Sequence, residues 1–145
     1  MRVLVQRVTS SSVEVEGKIV GKIDNGIMLL VGFTHTDTSK EIDYMVDKVI
    51  NLRIFDDEDG VMNKSLLDFG GDILSISQFT LYGDARKGNR PSYINALKND
   101  LATPLYDAFN EELRTYGVKV ETGVFGADME ISFTNIGPTT ILLEK

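Results

Sequence analysis

The stretch DNGIMLLVGF, from Asp24 to Phe33, decides the fold class of this chain. From Ile27 onward it is apolar almost throughout, which is typical of a central strand covered on both faces of a sheet. The Asn25-Gly26 pair before it tolerates positive φ at both turn positions, so it predicts a hairpin at this point. The stretch therefore predicts a sheet built around a buried strand.

Further strands are predicted on both sides of this stretch. Upstream, apolar residues alternate with other residues over Val3–Val8 and Val13–Val15. Gly17 would turn or bulge the chain before a strand at Lys18–Ile23. Downstream, strands are predicted at Asp72–Gln78, Val118–Glu121, Glu130–Asn135 and Thr139–Glu144.

A helix is predicted directly after the central strand. Thr38 and Glu41 match a capping box, in which each side chain pairs with the backbone amide of the other residue. The apolar residues that follow recur at the spacing of one helix face, and they are Ile42, Met45, Val46, Val49 and Ile50.

Two other helices are predicted nearer the C-terminus. Pro91 suits the first turn of a short helix. The apolar residues of that helix would be Tyr93, Ile94 and Leu97. A longer helix would start at Thr103-Pro104 and stop near Gly117. Its apolar face would consist of Leu105, Ala108, Phe109, Leu113 and Tyr116.

This order of elements is rich in strands and does not alternate regularly between strand and helix. It predicts a mixed α+β fold, with a β-rich sheet curled toward a barrel and two or three helices packed on it. Neither a linker nor an internal repeat interrupts the pattern, so we expect one domain spanning residues 1–145.

The charge balance limits the partners of the chain. Its 15 Lys and Arg stand against 22 Asp and Glu, a net charge of −7, which disfavours indiscriminate binding to nucleic acid. A local basic cluster nevertheless occurs at Arg86, Lys87 and Arg90. The N-terminal apolar stretch is too short for a signal peptide, and no run approaches the roughly 18 apolar residues of a membrane span. We expect a cytoplasmic protein with no membrane partner.

Several familiar catalytic arrangements are missing from the sequence. With no Cys, a disulfide framework, a thiolate metal site and a cysteine nucleophile are excluded. The one His, His35, is the only possible imidazole base, and without it there is no Ser–His–acid triad. A lone His such as His35 is more often structural. The acidic run Asp56–Asp59 lacks the alternating ligands of a calcium loop, and no phosphate-binding glycine motif occurs. We expect neither a metal nor a cofactor.

Three features depart from the pattern of the strands in which they are predicted to lie. The first is the end of the strand at Ser75–Leu81, which is either a site aimed by the sheet or a solvated edge. The second is Gly137-Pro138, which interrupts two strand-like runs and is either a special backbone feature or a simple turn. The third is Arg7, which shares the apolar face of its strand and needs an internal carboxylate or a ligand anion as partner.

Over its whole length the chain resembles the D-aminoacyl-tRNA deacylases, also called D-tyrosyl-tRNA deacylases. The stretches that carry the resemblance are the opening MRVLVQRV, SQFTL at Ser77–Leu81, RKGNRPS at Arg86–Ser92, GVFGADM at Gly123–Met129 and NIGPTT at Asn135–Thr140. Position 136, which is often Asp in relatives, is Ile here.

The resemblance implies a homodimer whose active sites are shared between subunits. In each subunit the Gly137-Pro138 peptide bond would be cis and would reach into the partner's site. The catalytic pocket for the terminal adenosine and its aminoacyl ester would be lined by Ser77, Gln78, Phe79 and Thr80. Residues that support or border the pocket would be Arg7, Phe125 and Met129. We further expect that the tRNA backbone contacts Arg86, Lys87 and Arg90.

The implied reaction is hydrolysis of the ester bond of D-aminoacyl-tRNA, a chiral proofreading step. The substrate is an activated ester with a neighbouring ribose hydroxyl, so the protein has only to position it and to stabilise an oxyanion. We interpret Thr80 as a positioning group rather than a nucleophile, because no base is evident beside it. The Gly137-Pro138 unit would exclude L side chains and admit D-aminoacyl and glycyl substrates.

Other functions remain open on the residues alone. A hydrolase of small D-amino-acid esters or peptides would accommodate the acidic charge directly. A nucleic-acid-binding module without catalysis would use Arg86, Lys87 and Arg90, and the remaining motifs would then be purely structural. A β-rich dimeric domain of another role is the simplest alternative.

Overall fold

The computed structural model describes all residues, 1–145, and confirms the mixed α+β class. Its strands are β1 (Arg2–Val15), β2 (Lys18–Ile23), β3 (Gly26–Gly32), β4 (Phe55–Asp56), β5 (Met62–Lys64), β6 (Asp72–Ser77), β7 (Val120–Thr122) and β8 (Glu130–Glu144). Its helices are α1 (Ser39–Asn51), α2 (Leu66–Phe69) and α3 (Asn99–Arg114), and a short 3-10 turn covers Phe79–Tyr82.

The long strand β1 organises the main sheet. Along one edge it pairs with β8 over nearly its whole length, and along the other it pairs with β3 near its start and β2 near its end. These pairings are antiparallel, whereas β3, β6 and β7 run parallel to one another. Because β2 also lies against β6 and β7, the sheet curls into a nearly closed barrel.

The predicted hairpin at Asn25-Gly26 is wrong. The strands on either side of it do not pair with each other, because both pair with β1. The tight turn lies at Glu16 and Gly17, whose φ angles are 50° and 76°, so Gly17 turns the chain rather than bulging it. Gly26 serves another purpose: a Cβ there would lie 1.9 Å from the carbonyl oxygen of Asp72, so only glycine permits β3 and β6 to meet.

The central strand is buried on both faces, as its sequence predicts. Ile27 and Leu29 belong to the larger apolar cluster, which α1 and α3 cover, while Met28 belongs to the smaller cluster on the other face of the sheet. The capping box at Thr38 and Glu41 is present, and every residue of the predicted apolar face of α1 is buried.

The helix α3 begins at Asn99, four to five residues before the predicted start. Pro104 lies inside it, one turn from its start, where its ring removes a single backbone donor. The Thr103 hydroxyl donates to the Asn99 carbonyl oxygen at 2.7 Å. The buried face of α3 consists of Ala102, Tyr106, Phe109, Asn110 and Leu113. Of the residues predicted there, Ala108 and Tyr116 are exposed.

The predicted short helix after Pro91 is absent. The segment is instead held as a loop by the residues that follow β3. The Leu97 amide donates to the Phe33 carbonyl oxygen at 2.9 Å, and the Thr34 hydroxyl donates to the Asn95 carbonyl oxygen at 2.6 Å. His35 Nε2 lies 2.8 Å from the Ile94 carbonyl oxygen. These tertiary hydrogen bonds replace the ones that a helix would make.

The two predicted C-terminal strands are one strand, β8. In its middle, residues 136–139 leave the pairing with β1 and form the excursion of β8. None of the helices is both long enough and apolar enough to cross a membrane.

Candidate active site

A cavity of about 310 Å³ opens where the parallel strands β3 and β6 end. Carboxyl ends of parallel strands are a common position for ligand sites, because loops diverge there. The chain leaves β6 at Gln78, whose amide donates to the Val31 carbonyl oxygen at 2.7 Å. The close approach requires Gly32, since a Cβ there would lie 2.9 Å from the Gln78 carbonyl oxygen.

Five of the predicted site residues meet at this cavity. The lining includes Ser77, Gln78 and Phe79 on the β6 side, and Phe125 and Met129 on the side of the loop between β7 and β8. Asn99 and Asp128 also line it and were not among the predicted residues. Ten of the sixteen lining residues are hydrophobic and others carry polar side chains, a combination that is usual for small-molecule sites.

Thr80 lies just outside the lining and is exposed. Its hydroxyl accepts a hydrogen bond from the Gln78 side-chain amide. Its carbonyl oxygen accepts from the Gly83 amide at 2.9 Å, which closes the 3-10 turn. Since an amide cannot remove a proton, this geometry provides no activation of the hydroxyl.

Tyr106 supports the cavity from behind, and the sequence reasoning missed it. Its hydroxyl donates to the Ser75 carbonyl oxygen at 2.8 Å, two residues before Ser77, and its ring packs 5.6 Å from that of Phe125. Burial raises the pKa of the Tyr106 phenol, so the hydroxyl stays protonated and donates. The correct phase of α3 would have identified this residue as buried.

Gly137 and Pro138 do not line this cavity. They are exposed and lie in the excursion of β8, and the peptide bond between them is cis, as the resemblance implies. Val8 pairs with Asn135 and Gln6 pairs with Thr140, so residues 136–139 loop out opposite a single residue of β1.

Asn135 closes this excursion, and its side chain was also missed as a candidate. Its Nδ2 donates to the carbonyl oxygens of Arg7 and Thr139, at 2.9 and 3.0 Å. Its Oδ1 accepts from Gln6 Nε2 at 3.3 Å and from the Thr140 hydroxyl at 3.1 Å. The signal was present in the sequence, because Asn and Thr side chains commonly satisfy backbone groups in turns.

Arg7 lies beneath the excursion rather than at the cavity. Its Nη1 donates to the Ile54 carbonyl oxygen at 2.9 Å and to Asp56 Oδ1 at 3.2 Å. A Cβ on Gly137 would lie 3.5 Å from Arg7 Nη2, so guanidinium and glycine are neighbours. Arg7 therefore has its partners within the chain, and they are the Asp56 carboxylate and the Ile54 carbonyl oxygen.

The basic cluster belongs to a loop that is closed at its base. Asp84 and Ser92 exchange two backbone hydrogen bonds of 2.8 Å each. Arg86 forms an ion pair with Asp84 at 2.6 Å, and this hydrogen bonding lowers the pKa of the Asp84 carboxyl to about 2. Lys87 and Arg90 are exposed and make no ion pair. The loop adjoins the cavity through Phe79, whose ring lies 5.1 Å from that of Tyr93.

The lone His35 holds the segment that follows this loop, at Ile94, so its role within the chain is structural. No three His, Asp or Glu side chains converge as ligands of a metal ion.

Sequence relatives cover the whole chain. The profile of the D-Tyr-tRNA(Tyr) deacylase family matches residues 4–144. A D-aminoacyl-tRNA deacylase of Bacillus velezensis is 58% identical over 145 residues, which are 100% of this chain and 99% of that protein.

Solved structures share the fold. A c-Myc DNA unwinding element binding protein has a TM-score of 0.94 at 42% identity, over 100% of this chain and 99% of that one. A probable eukaryotic D-amino acid tRNA deacylase has a TM-score of 0.85 over 98% of this chain and 97% of that one, and at 22% identity it is similar in fold alone. The full-length sequence matches show that the chain belongs to the D-Tyr-tRNA(Tyr) deacylase family.

Proposed function

We propose that this chain hydrolyses the ester bond of D-aminoacyl-tRNA and releases the D-amino acid and free tRNA. The observation that carries the proposal is the cavity at the ends of β3 and β6, where the family motif Ser77–Phe79 faces Phe125 and Met129. Its volume of about 310 Å³ suits part of an aminoacyl-nucleoside rather than a whole nucleic acid.

The working unit in this proposal is a homodimer. Gly137 and Pro138 are exposed and lie apart from the cavity of their own chain. A two-fold axis would let each subunit place this segment at the cavity of the other. The hydrogen bonds of Asn135 support this role, because they hold the segment in a defined shape without burying it.

The chemistry that we propose needs positioning and charge stabilisation more than a protein nucleophile. The first amides of the turn that begins at Phe79 have no partner inside that turn, so they are available to an ester oxygen as negative charge develops. The ribose hydroxyl next to the ester would orient the attacking water. Thr80, whose hydroxyl accepts from Gln78, would hold the turn in place.

Chirality would be selected by exclusion. Gly137, at φ 113°, has no side chain, so in the proposed dimer it would present only main-chain groups to the partner's cavity. These groups would hold the α-amino group and leave no room for an L side chain, whereas a D side chain would point outward. Glycine has no side chain to exclude, so glycyl-tRNA would also be a substrate.

The tRNA would approach on the side of the closed loop. Lys87 and Arg90 are exposed and unpaired there, and Arg86 would exchange Asp84 for a phosphate. This local charge offers the polyanion a route to a chain of net charge −7. The cytoplasm, where translation occurs, is the compartment that we propose.

The test is deacylation of matched D-Tyr-tRNA, L-Tyr-tRNA and Gly-tRNA in the presence of EDTA. We expect fast loss of D-Tyr and Gly and no loss of L-Tyr above spontaneous hydrolysis. If D-Tyr-tRNA and L-Tyr-tRNA were deacylated at similar rates, the esterase activity would stand but the exclusion mechanism would be wrong. Loss of none by a folded protein would refute the proposed activity.

A second candidate is nucleic-acid binding without catalysis. It is favoured by the name of the solved relative at 42% identity, a DNA unwinding element binding protein. Steeply salt-dependent binding with no turnover in the deacylation test would favour this function. Turnover of a small D-tyrosine ester but not of D-Tyr-tRNA would instead favour a hydrolase of small esters.

A further inference from the structure

Two exposed aromatic side chains lie in contact with each other beside the candidate active-site cavity. Phe79 lines the cavity and is 50% exposed, and Tyr93 is 40% exposed. Their ring centroids are 5.1 Å apart and their planes meet at 71°. Exposed rings occur elsewhere on the chain, but these two are in contact with each other at the mouth of a cavity, so they form an aromatic surface that is available to a ligand.

Tyr93 is held firmly although it is exposed. Its ring packs on the backbone at Gly83, where an added Cβ would lie 3.0 Å from Tyr93 Cε1. Its carbonyl oxygen accepts from the Ala96 amide at 3.0 Å, and the next residue is bound by His35. A ring that is already positioned loses little conformational freedom when a ligand stacks on it.

Positive charge lies on the loop that directly precedes Tyr93 in the chain. Lys87 and Arg90 are exposed without an ion pair, and the loop that carries them closes at Ser92, directly before Tyr93. Exposed aromatic rings and unpaired cations on adjoining stretches of chain are the combination by which proteins bind single-stranded nucleic acid, because bases stack while phosphates meet the cations.

We propose that Tyr93 stacks on a base of the unpaired 3′ end of the tRNA, next to the terminal aminoacylated nucleoside that the cavity holds. Lys87 and Arg90 face the phosphates of this single-stranded segment. This inference rests on the proposed function and deepens it, since it makes Tyr93 the residue through which the enzyme distinguishes a polynucleotide ester from a small ester.

The experiment compares two substrates that share the reacting ester. One is D-Tyr-tRNA, and the other is D-tyrosyl-adenosine, which retains only the terminal nucleoside. The variant Tyr93→Leu removes the aromatic face, and Tyr93→Phe retains it. Tyr116→Leu is the matched control, because Tyr116 is 42% exposed and lies beyond the end of α3.

We expect Tyr93→Leu to lower kcat/KM for D-Tyr-tRNA by about tenfold or more, chiefly through KM, because one stacked base is lost. Turnover of D-tyrosyl-adenosine should stay within about twofold of wild type, since that ester has no further base to stack. Tyr93→Phe and Tyr116→Leu should behave as wild type on both substrates.

Three results would overturn the inference. An equal loss on both substrates would mean that Tyr93 acts only through Phe79 and the shape of the cavity. An unchanged rate on D-Tyr-tRNA would mean that no base stacks there, and a loss in Tyr93→Phe as large as in Tyr93→Leu would assign the effect to the hydroxyl. If the wild-type protein hydrolysed neither substrate, the proposed function itself would fail.

Discussion

Single side chains decide which chemistry the candidate active site can support. The Thr80 hydroxyl accepts a hydrogen bond from Gln78, and no hydrogen bond joins it to a carboxylate or an imidazole. Because a hydroxyl without a base is a weak nucleophile, the geometry favours a positioning role.

The first prediction concerns this hydroxyl. Thr80→Ala should deacylate D-Tyr-tRNA at a rate within about tenfold of wild type, because the substitution removes only one hydrogen bond. Loss of a true nucleophile would cost on the order of 10⁴-fold or more, which single-turnover rates distinguish easily. Thr80→Ser is uninformative, since it keeps a hydroxyl. A loss of the larger size in a folded variant would restore Thr80 as the nucleophile.

A second prediction concerns the side chain that closes the excursion of β8. Asn135→Ala removes both donors to the carbonyl oxygens of Arg7 and Thr139. We expect the free energy of unfolding to fall by about 1–3 kcal/mol, because two partly buried acceptors lose their partner. We also expect a larger loss of kcat for D-Tyr-tRNA than stability explains, as Gly137 and Pro138 lose their fixed position.

The control for this variant is Asn51→Ala. Asn51 Nδ2 also makes two hydrogen bonds, to the carbonyl and carboxylate oxygens of Asp47, but in an exposed position at the end of α1. Chemical denaturation should show a change of about 0.5 kcal/mol or less there. Equal effects of the two substitutions on stability and activity would contradict the assigned role of Asn135.

At the scale of elements, the closed loop between Asp84 and Ser92 separates the two candidate functions that bind a polynucleotide from a hydrolase of small esters. Its charges lie on a short segment whose ends are tied to each other, and the residue that follows it, Tyr93, contacts Phe79 of the cavity. Fixed cations contribute to polyanion binding chiefly by releasing counterions from the phosphates.

The third prediction follows from these charges. The double variant Lys87→Ala/Arg90→Ala should bind tRNA more weakly, and the slope of log Kd against log salt concentration should fall by about 2, or about 1 for each lost phosphate contact. Lys40→Ala, an exposed residue near the start of α1, is the matched control and should leave the slope unchanged. An unchanged slope in the double variant would place the tRNA elsewhere.

At the scale of the whole molecule, the structure separates two groups of predicted site residues. The cavity holds Ser77–Phe79, and the excursion of β8 holds Gly137 and Pro138 near Arg7. A single chain therefore does not bring the groups together, and the homodimer proposed above is the arrangement that would require them to meet.

The fourth prediction tests this arrangement by mixing two inactive variants. Ala127→Phe places a ring in the cavity that Ala127 lines. Gly137→Val adds a Cβ 2.7 Å from the Thr139 amide nitrogen, at a φ of 113° that side chains rarely adopt. After co-refolding, half of the dimers should be mixed and each should hold one intact site, so about a quarter of the wild-type activity should return.

Each variant refolded alone is the control and should remain inactive. If the mixture showed no more activity than the two variants measured separately, although mixed dimers had formed, the site would not be shared between subunits.

The sequence by itself determined the features that depend on neighbours along the chain. The capping box at Thr38, the apolar face of α1 and the buried run of β3 are local patterns, and all are present. The family was also readable, because it is carried by short motifs at Ser77–Leu81 and Asn135–Thr140.

Only the tertiary structure decided which strand pairs with which and where the motifs meet. Asn25-Gly26 has the composition of a hairpin, yet pairing with β1 outweighs the local turn preference. Residues 91–97 have a helical pattern, yet hydrogen bonds that they form with Phe33, Thr34 and His35 hold them as a loop. The physical reason is the same in both cases: local preferences of about 1 kcal/mol or less give way to backbone hydrogen bonds and burial that distant residues supply.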